Sequence, residues 1–119
     1  MSPTERSLAH ARALGWTVGV VERRIPGKWI TIDLFGCIDI VAAGGVRGVV
    51  GIQSTVGDRH AEHRAKAIAE PRLRAWLASG GVFLMWSWAK QGARGKRKLW
   101  KLREEELTLA DLDVAELLR

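Results

Sequence analysis

The sequence predicts an α/β fold with a mixed central sheet of about four to five strands flanked by helices. Short apolar, β-rich segments alternate with segments whose apolar residues recur at helical spacing, and glycine or proline turn signals separate them. The chain has 119 residues, of which 47% are hydrophobic, and this suffices for one domain with one core. We expect residues 1–119 to form a single domain, with residues 104–119 as an acidic C-terminal helix.

The first third of the chain is predicted to contain one helix and two strands. Apolar residues at helical spacing predict a helix over residues 4–14, which Gly15 ends. Residues 16–21 are rich in β-formers and predict the first strand. A Pro-Gly turn signal at residues 26–27 precedes a short strand at residues 29–32.

The centre of the sheet is predicted from two strands that are apolar on both faces. Residues 37–43 and 46–52 are almost wholly apolar, and Gly44-Gly45 between them suits a tight turn. Strands of this kind usually lie in the middle of a sheet that helices cover.

Helices and strands also alternate in the second half. Asp58 can cap a helix that runs to residue 69, and Pro71 either breaks this helix or begins a second one. The remaining predicted elements are a strand at residues 82–88, a strand at residues 99–102, and a helix at residues 109–118 that Thr108 and Asp111 cap.

Charge is distributed unevenly along the chain. Lys and Arg total 19 and Asp and Glu total 13, for a net charge of +6. Residues 104–119 hold six acids against one base, whereas residues 1–103 hold 18 bases against seven acids. A body this basic predicts a polyanionic partner. Nucleic acid is favoured over a membrane surface, because no long basic amphipathic helix with a broad apolar face is visible. A basic surface that serves only solubility is the alternative.

Composition also disfavours several classes of protein. No apolar run reaches the roughly 18 residues needed to span a bilayer, and residues 1–12 lack the apolar stretch of a signal peptide. Cys37 is the single cysteine, so neither an internal disulfide nor a cysteine cluster for zinc is expected. We expect a cytoplasmic or nucleoid-associated protein.

Asp39 is the first candidate functional residue. It lies between Ile38 and Ile40, where a buried carboxylate is costly unless it is paired or binds a metal. Gln53 and Thr55 leave the next strand on a common face, because side chains alternate along a strand. If the three converge, they present oxygen ligands of the kind that Mg²⁺ prefers. The alternative is an ordinary acid at a strand end, beside a polar strand exit.

These motifs resemble those of the PD-(D/E)XK nuclease superfamily, in particular its Holliday-junction-resolvase-like and small phage-type members. The resemblance covers about residues 4–90. A helix is followed by Gly-x-x-Asp-Ile, which ends at Ile40, by Gly-Ile-Gln-x-Thr, which ends at Thr55, and by a further helix. It implies a restriction-endonuclease-like core and hydrolysis of phosphodiester bonds in DNA with Mg²⁺ or Mn²⁺.

The resemblance implies catalytic roles for four residues. Asp39 matches the metal-binding aspartate of the superfamily. Gln53 stands where most members have Glu or Asp, and Thr55 stands where most have Lys. Glu5 on the first helix matches a helix-borne glutamate of some branches. The site therefore has one negative charge and one cation fewer than is usual in the superfamily.

Two further acids could supply the missing charge. Asp33 precedes Leu-Phe-Gly, and Glu22 lies where the first strand ends. With Asp39 and Gln53 they form the predicted set of metal ligands. The alternatives are a turn-forming role for Asp33 and an ion pair between Glu22 and a neighbouring base.

Basic residues outside these motifs form the predicted DNA-binding surface. Phosphate contacts by Lys and Arg hold a protein on DNA without reading its sequence. The candidates lie near the start of the helix that follows Thr55 and in a glycine-rich segment around residues 92–103; they are Arg59, Arg64, Lys66, Arg94, Lys96, Arg97, Lys98 and Lys101. Arg64 or Lys66 could also replace the missing lysine.

Histidines and tryptophans have weaker claims to function. His60 and His63 lack the i, i+4 spacing of helical metal ligands, and we expect them in a polar helix start that suits a phosphate. Trp86, Trp88 and Trp100 are expected to pack in the core or at a dimer interface, with base stacking as the alternative.

Taken with the basic charge, the resemblance implies a metal-dependent DNA endonuclease acting on branched or structured DNA, as a homodimer that can cut two strands. One alternative is a catalytically weak or inactive DNA-binding module on the same fold, which the absence of the lysine favours. Another is a protein-interaction subunit whose tryptophans form an interface.

Overall fold

A five-stranded sheet is the centre of the fold within residues 1–118, the part of the chain that the computed structural model describes. The elements in chain order are helix α1 (Pro3–Ala13), strands β1 (Thr17–Val20), β2 (Arg23–Arg24), β3 (Thr31–Ile32), β4 (Ile40–Ala43) and β5 (Val49–Val56), helices α2 (His60–Ala69) and α3 (Pro71–Ala78), strands β6 (Val82–Gln91) and β7 (Leu99–Leu107), and helix α4 (Leu109–Leu117). The predicted α/β fold with a mixed sheet flanked by helices is confirmed.

The order of strands in the sheet is β1-β4-β5-β6-β7. Strands β5 and β6 are parallel, and the other neighbouring pairs are antiparallel. Parallel strands need a long crossover connection, which α2 and α3 supply here. Strands β2 and β3 pair only with each other, as a small hairpin between β1 and β4 in the chain. The central position predicted for β4 and β5 is consistent with this order.

Local sequence signals explain where the helices begin. Helix α1 starts with a capping box between Ser2 and Glu5. Pro71 begins α3 at its first position, and the Glu70 side chain accepts a hydrogen bond from a backbone N–H there. Thr108 and Asp111 form the predicted capping box of α4.

Apolar side chains on the two faces of the sheet form two clusters. One contains Ala11 of α1 with Ile52 and Trp86 of the sheet. The other contains Phe83 and Met85 of β6, with Leu73 of α3 and Leu112 of α4 among the residues that cover them. The core position expected for Trp86 is therefore confirmed. No helix within residues 1–118 is long and apolar enough to cross a membrane.

Strand β7 is longer than the sequence predicts. The strand expected at residues 99–102 runs to Leu107, so the acidic helix predicted from residue 104 is wrong over Glu104–Glu106 and begins only at Leu109. The acids stay in the strand because they pair with β6 along its length and their side chains find basic partners. Strand β5 likewise covers Val49–Val56, since residues 45–47 form a short 3₁₀ turn.

Candidate active site

A cleft of about 320 Å³ opens where the N-terminal end of β4 meets the C-terminal half of β5. Its walls come from the first residues of α1, the feet of the β2–β3 hairpin, β5, and the chain that enters α2. These segments are distant in sequence, and the antiparallel β4–β5 pair brings them together. The cleft contains Asp39, Gln53 and Thr55, together with Glu22 and Asp33.

Three carboxylates converge in this cleft. Oxygen atoms of Glu22, Asp33 and Asp39 lie within 4.8 Å of one another. Asp39 is only 4% exposed, while Glu22 and Asp33 are half-buried. Like charges this close repel unless a proton or a cation lies between them. The cluster therefore has the composition and spacing of a divalent-metal site.

Asp39 is held by the neighbouring strand. Ile40 pairs with Ile52, which sets Asp39 opposite Gln53. The Gln53 amide nitrogen and the Ser54 backbone N–H each donate to Oδ2 of Asp39 at 2.8 Å. Both hydrogen bonds fix the direction of the carboxylate. Gln53 thus contacts Asp39 through its nitrogen, whereas the sequence pattern predicts its oxygen at the metal.

Burial gives Asp39 an unusual acidity. Removal from water raises the pKa of Asp39 to about 8, and a hydrogen bond with Asp33 and the charges of Asp33 and Glu22 act in the same direction. The Ser54 N–H opposes this change in pKa. The pKa of Glu22 is also raised, first by burial and then by Asp33. A bound cation would favour the charged form of all three groups.

The structure tests the alternative roles considered for Asp33 and Glu22, which are a turn-forming residue and a member of an ion pair. The Asp33 backbone carbonyl accepts a hydrogen bond from the Gly36 N–H at 3.1 Å, so Asp33 does form a turn, while its side chain lies in the cluster. Within residues 1–118, Glu22 forms no ion pair with the bases of the following hairpin. Its carboxylate faces the other acids instead.

The basic groups that line the cleft differ from those expected. Arg59 and His63 line it, one helical turn apart, whereas neither Arg64 nor Lys66 does. The Arg64 guanidinium instead donates to Glu105 of β7, the edge strand of the sheet, at 2.8 Å. Arg59 is exposed and paired with Glu62. Burial, and then the charge of Arg59, lowers the pKa of His63.

Glu5 lies outside the cleft. Its carboxylate accepts the Ser2 N–H at 2.7 Å in the capping box of α1. This backbone hydrogen bond and the Ser2 hydroxyl hold the pKa of Glu5 below its usual value. Pro3 and Thr4, the residues just before it, are the ones that line the cleft. The sequence could not separate the two uses of an acid at the third position of a helix.

The remaining predicted DNA-binding residues are exposed. Lys66 lies on the outer surface of α2. The basic segment forms the tip of the β6–β7 hairpin, and all its candidates are exposed: Arg94, Lys96, Arg97, Lys98 and Lys101. Trp100 beside them is partly exposed, and Arg6 lies over its ring at 4.0 Å. Trp88 instead donates to Ser7 of α1 at 2.9 Å.

Two features are not predicted from the sequence. His60, expected at a polar helix start that suits a phosphate, is instead buried and bridges Ser87 of β6 and Glu105 of β7, with 2.5 Å and 2.7 Å between the hydrogen-bonding atoms. This network depends on contacts between segments that are distant in sequence, so no local sequence pattern predicts it. The second feature is Trp29 at the tip of the β2–β3 hairpin, which is 94% exposed. The Pro-Gly turn before Trp29 and the basic residues around it in the sequence are the pattern that could have indicated an exposed tip.

Comparison of the chain with protein-family models, with curated proteins and with solved structures found no match. The function of the cleft is therefore inferred from its own geometry and chemistry.

Proposed function

We propose that this protein is a metal-dependent DNA endonuclease of the PD-(D/E)XK type that acts on branched or structured DNA. The observation that carries the proposal is the convergence of Glu22, Asp33 and Asp39 within 4.8 Å in an open cleft. The chain around this acidic site is strongly basic, with a net charge of +6. A phosphate backbone is attracted to such a surface, and a divalent ion allows it to approach the acids.

The residues of the cleft fit Mg²⁺ or Mn²⁺. Glu22, Asp33 and Asp39 would hold the ion through carboxylate oxygens, the ligands that hard divalent cations prefer. Such an ion, when bound, polarises the scissile phosphate and lowers the pKa of an attacking water. Gln53 would orient Asp39 and thereby support the ligand set without carrying a charge of its own.

His63 is the side chain best suited to accept a proton in place of the missing lysine. Its lowered pKa keeps the imidazole neutral at pH 7, which a general base requires. Thr55 lines the same cleft and offers a hydroxyl to orient water. Arg59 at the rim would contact the phosphate, and the tip of the β6–β7 hairpin would hold the backbone further away. Two copies of the chain would be needed to cut two strands of a junction.

A DNA-binding module without catalysis is the second candidate. Asp39 already accepts two hydrogen bonds, and its raised pKa keeps it largely protonated at neutral pH in the absence of a cation. A site that remains in this state would bind DNA through its basic surface and leave it intact.

Cleavage of labelled DNA separates these candidates. A four-way junction, a flap and a linear duplex would be incubated with Mg²⁺ or Mn²⁺ and with wild type, Asp39→Asn or Asp113→Asn. Asp113 is an exposed acid on α4 and controls for the loss of one charge. We expect wild type and Asp113→Asn to cut the junction and Asp39→Asn to bind it without cutting. Binding by wild type without cleavage of any substrate would favour the inactive module. Absence of salt-sensitive DNA binding would favour an interaction subunit.

A further inference from the structure

The β2–β3 hairpin, residues 23–32, stands apart from the main sheet. Arg23 pairs with Ile32 and Arg24 with Thr31, and the Ile25 N–H donates to the Ile30 carbonyl at 2.9 Å. Gly27 closes the turn with φ of +75°, a conformation that glycine adopts without strain. We call this segment the arm. Its hydrogen bonds give it a defined shape although no other strand of the described chain pairs with it.

The tip of the arm exposes an aromatic ring beside basic groups. Trp29 is 94% exposed, and the Arg24 guanidinium lies 4.8 Å from its ring centroid. Ile30 and Ile32 are also exposed. The tip bounds a groove of about 520 Å³, lined by residues 24–29. An exposed indole ring makes few apolar contacts within the protein. Its face is therefore available to stack against a flat partner.

The charge of the arm indicates the nature of that partner. Arg23, Arg24 and Lys28 are its charged residues, and it contains no acid. Basic side chains next to an exposed aromatic ring are typical of proteins that bind single-stranded nucleic acid. The phosphates pair with the basic side chains, and the nucleobases stack on the ring.

The arm lies next to the acidic cleft, within reach of the same DNA strand. Glu22 and Asp33 immediately flank it in sequence, and both lie in the acidic cleft together with Thr31. Trp29 is four residues from Asp33, a reach of at most about 14 Å for an extended chain. That length corresponds to about four base-pair steps of duplex DNA. One DNA strand could therefore contact the arm and the cleft at once.

We propose that Trp29 stacks on an unpaired nucleobase and that Arg23, Arg24 and Lys28 hold the adjacent phosphates, so that the arm recognises the point where a DNA duplex opens. The inference rests on the proposed function for the identity of the ligand as DNA. It adds the structural feature of DNA that the protein selects.

A lipid surface is the competing partner for an exposed tryptophan with bases around it. The carboxylates at the foot of the arm disfavour it, because anionic headgroups would repel Glu22 and Asp33 as the tip inserts. One nucleobase can stack on Trp29 while the adjacent phosphates pair with Arg23, Arg24 and Lys28, so a strand does not have to bring a continuous anionic surface to that foot.

The test measures DNA binding in EDTA, where no cleavage occurs, by fluorescence anisotropy. The probes are a forked duplex with unpaired arms and a blunt duplex of equal length. The proteins are wild type, Trp29→Ala, Trp29→Phe, Arg24→Ala and, as the matched charge control, Arg12→Ala on α1. Thermal melts verify that each variant folds, which we expect for side chains this exposed. Pelleting with phosphatidylserine vesicles is run in parallel.

We expect Trp29→Ala to bind the fork about 5- to 150-fold more weakly, with little change on the blunt duplex. Trp29→Phe should keep most of the affinity, and Arg24→Ala should lose more than Arg12→Ala. Equal binding of the fork by wild type and Trp29→Ala overturns the inference. So does an equal loss on both probes, or a Trp29 dependence seen only with vesicles.

The experiments distinguish an error in the role proposed for the arm from an error in the nuclease proposal. If Trp29 is required for binding the fork but wild type never cuts it with Mg²⁺ or Mn²⁺, the arm stands and the nuclease proposal fails. If Trp29→Ala cuts the fork at the same place and rate as wild type, the nuclease proposal stands and the arm does not contribute.

Discussion

Gln53 donates its side-chain N–H to Oδ2 of Asp39 at 2.8 Å, across the central antiparallel pair of strands. The amide fixes the direction of the carboxylate and leaves the negative charge of the cleft to Glu22, Asp33 and Asp39. An acid at position 53 would have no N–H to donate to Asp39 and would add a fourth carboxyl group to the cleft. Position 53 therefore affects both the charge of the cleft and the orientation of Asp39.

Replacing Gln53 by Glu is expected to strengthen metal binding and weaken the metal-free fold. A fourth carboxylate adds a ligand for Mn²⁺, and we expect roughly tenfold or greater affinity, measured by titration calorimetry. Without metal, the Gln53→Glu variant loses the N–H that Gln53 donates to Asp39 and adds a buried carboxyl group beside Glu22 and Asp33, so the melting temperature in EDTA should fall. Gln91→Glu, an exposed position at the end of β6, adds the same charge away from the cleft and should change neither quantity. Unchanged or weaker Mn²⁺ binding by Gln53→Glu would contradict the assignment of the cleft as a metal site.

The stability of the metal-free protein should fall as the pH rises from about 4 to about 8. The folded-state pKa of Asp39 is raised from 3.8 to about 8, so the native state holds a proton that the unfolded chain releases. The free energy of unfolding should fall by at most about 1.4 kcal/mol for each pH unit between these two pKa values, and the loss is complete above the folded pKa. Asp39→Asn removes this titration and should be more stable than wild type at pH 9 in EDTA.

Divalent metal should oppose this loss of stability at high pH. Mg²⁺ competes with the proton on Asp39, so it should raise the melting temperature of wild type more at pH 8.5 than at pH 6 and leave Asp39→Asn nearly unchanged. Thermal melts with and without EDTA at both pH values measure this. A stabilisation by Mg²⁺ that is equal at both pH values would show that the ion binds elsewhere.

His63→Ala should lower the rate of DNA cleavage by about 100-fold or more, while DNA binding and Mn²⁺ affinity stay close to those of wild type. Burial, and then the charge of Arg59, lowers the pKa of His63, so the base form predominates at pH 7. Wild-type activity should therefore decline only on acidification below about pH 6.5, the ordinary pKa of histidine. Ser79→Ala, at an exposed position directly after α3, is the control. Cleavage by His63→Ala at the wild-type rate would remove the imidazole from the reaction.

Two neighbouring acids of β7 should differ in their contribution to stability. Glu105 bonds the buried His60 and also Arg64, so Glu105→Ala leaves a buried ring nitrogen without its partner and should cost about 1–3 kcal/mol. Glu106 pairs with Arg47 on the exposed side of the strand, and its removal should cost about 1 kcal/mol or less. Urea unfolding of the two variants gives the comparison. Similar losses in both would mean that the His60 network contributes little.

The sequence predicts those parts of the fold that local patterns determine. The apolar runs around Asp39 and Gln53 identify the central strands, and alternation along β5 places Gln53 and Thr55 on one face. Pairing of β4 with β5 then puts Asp39 opposite Gln53, as the short connection between the strands suggests.

Partners that are distant in sequence account for the differences. Glu104–Glu106 have the composition of a helix start, but β6 on one edge and Arg47 at their side chains hold them in a strand. Arg64 is a reasonable cation for the cleft by its position in the sequence, but Glu105, forty-one residues later, binds it instead. A single sequence contains no signal for either contact.

The three carboxylates belong to two different parts of the molecule. Asp39 is anchored to the central sheet, whereas Glu22 and Asp33 sit at the two ends of a slender hairpin. A displacement of the arm relative to the sheet would therefore change the spacing of the carboxylate oxygens at its base. If the cleft binds a metal ion as proposed, its affinity for the ion would depend on the position of the arm. Under the proposed function, DNA that displaces the arm would weaken metal binding and would be cut more slowly.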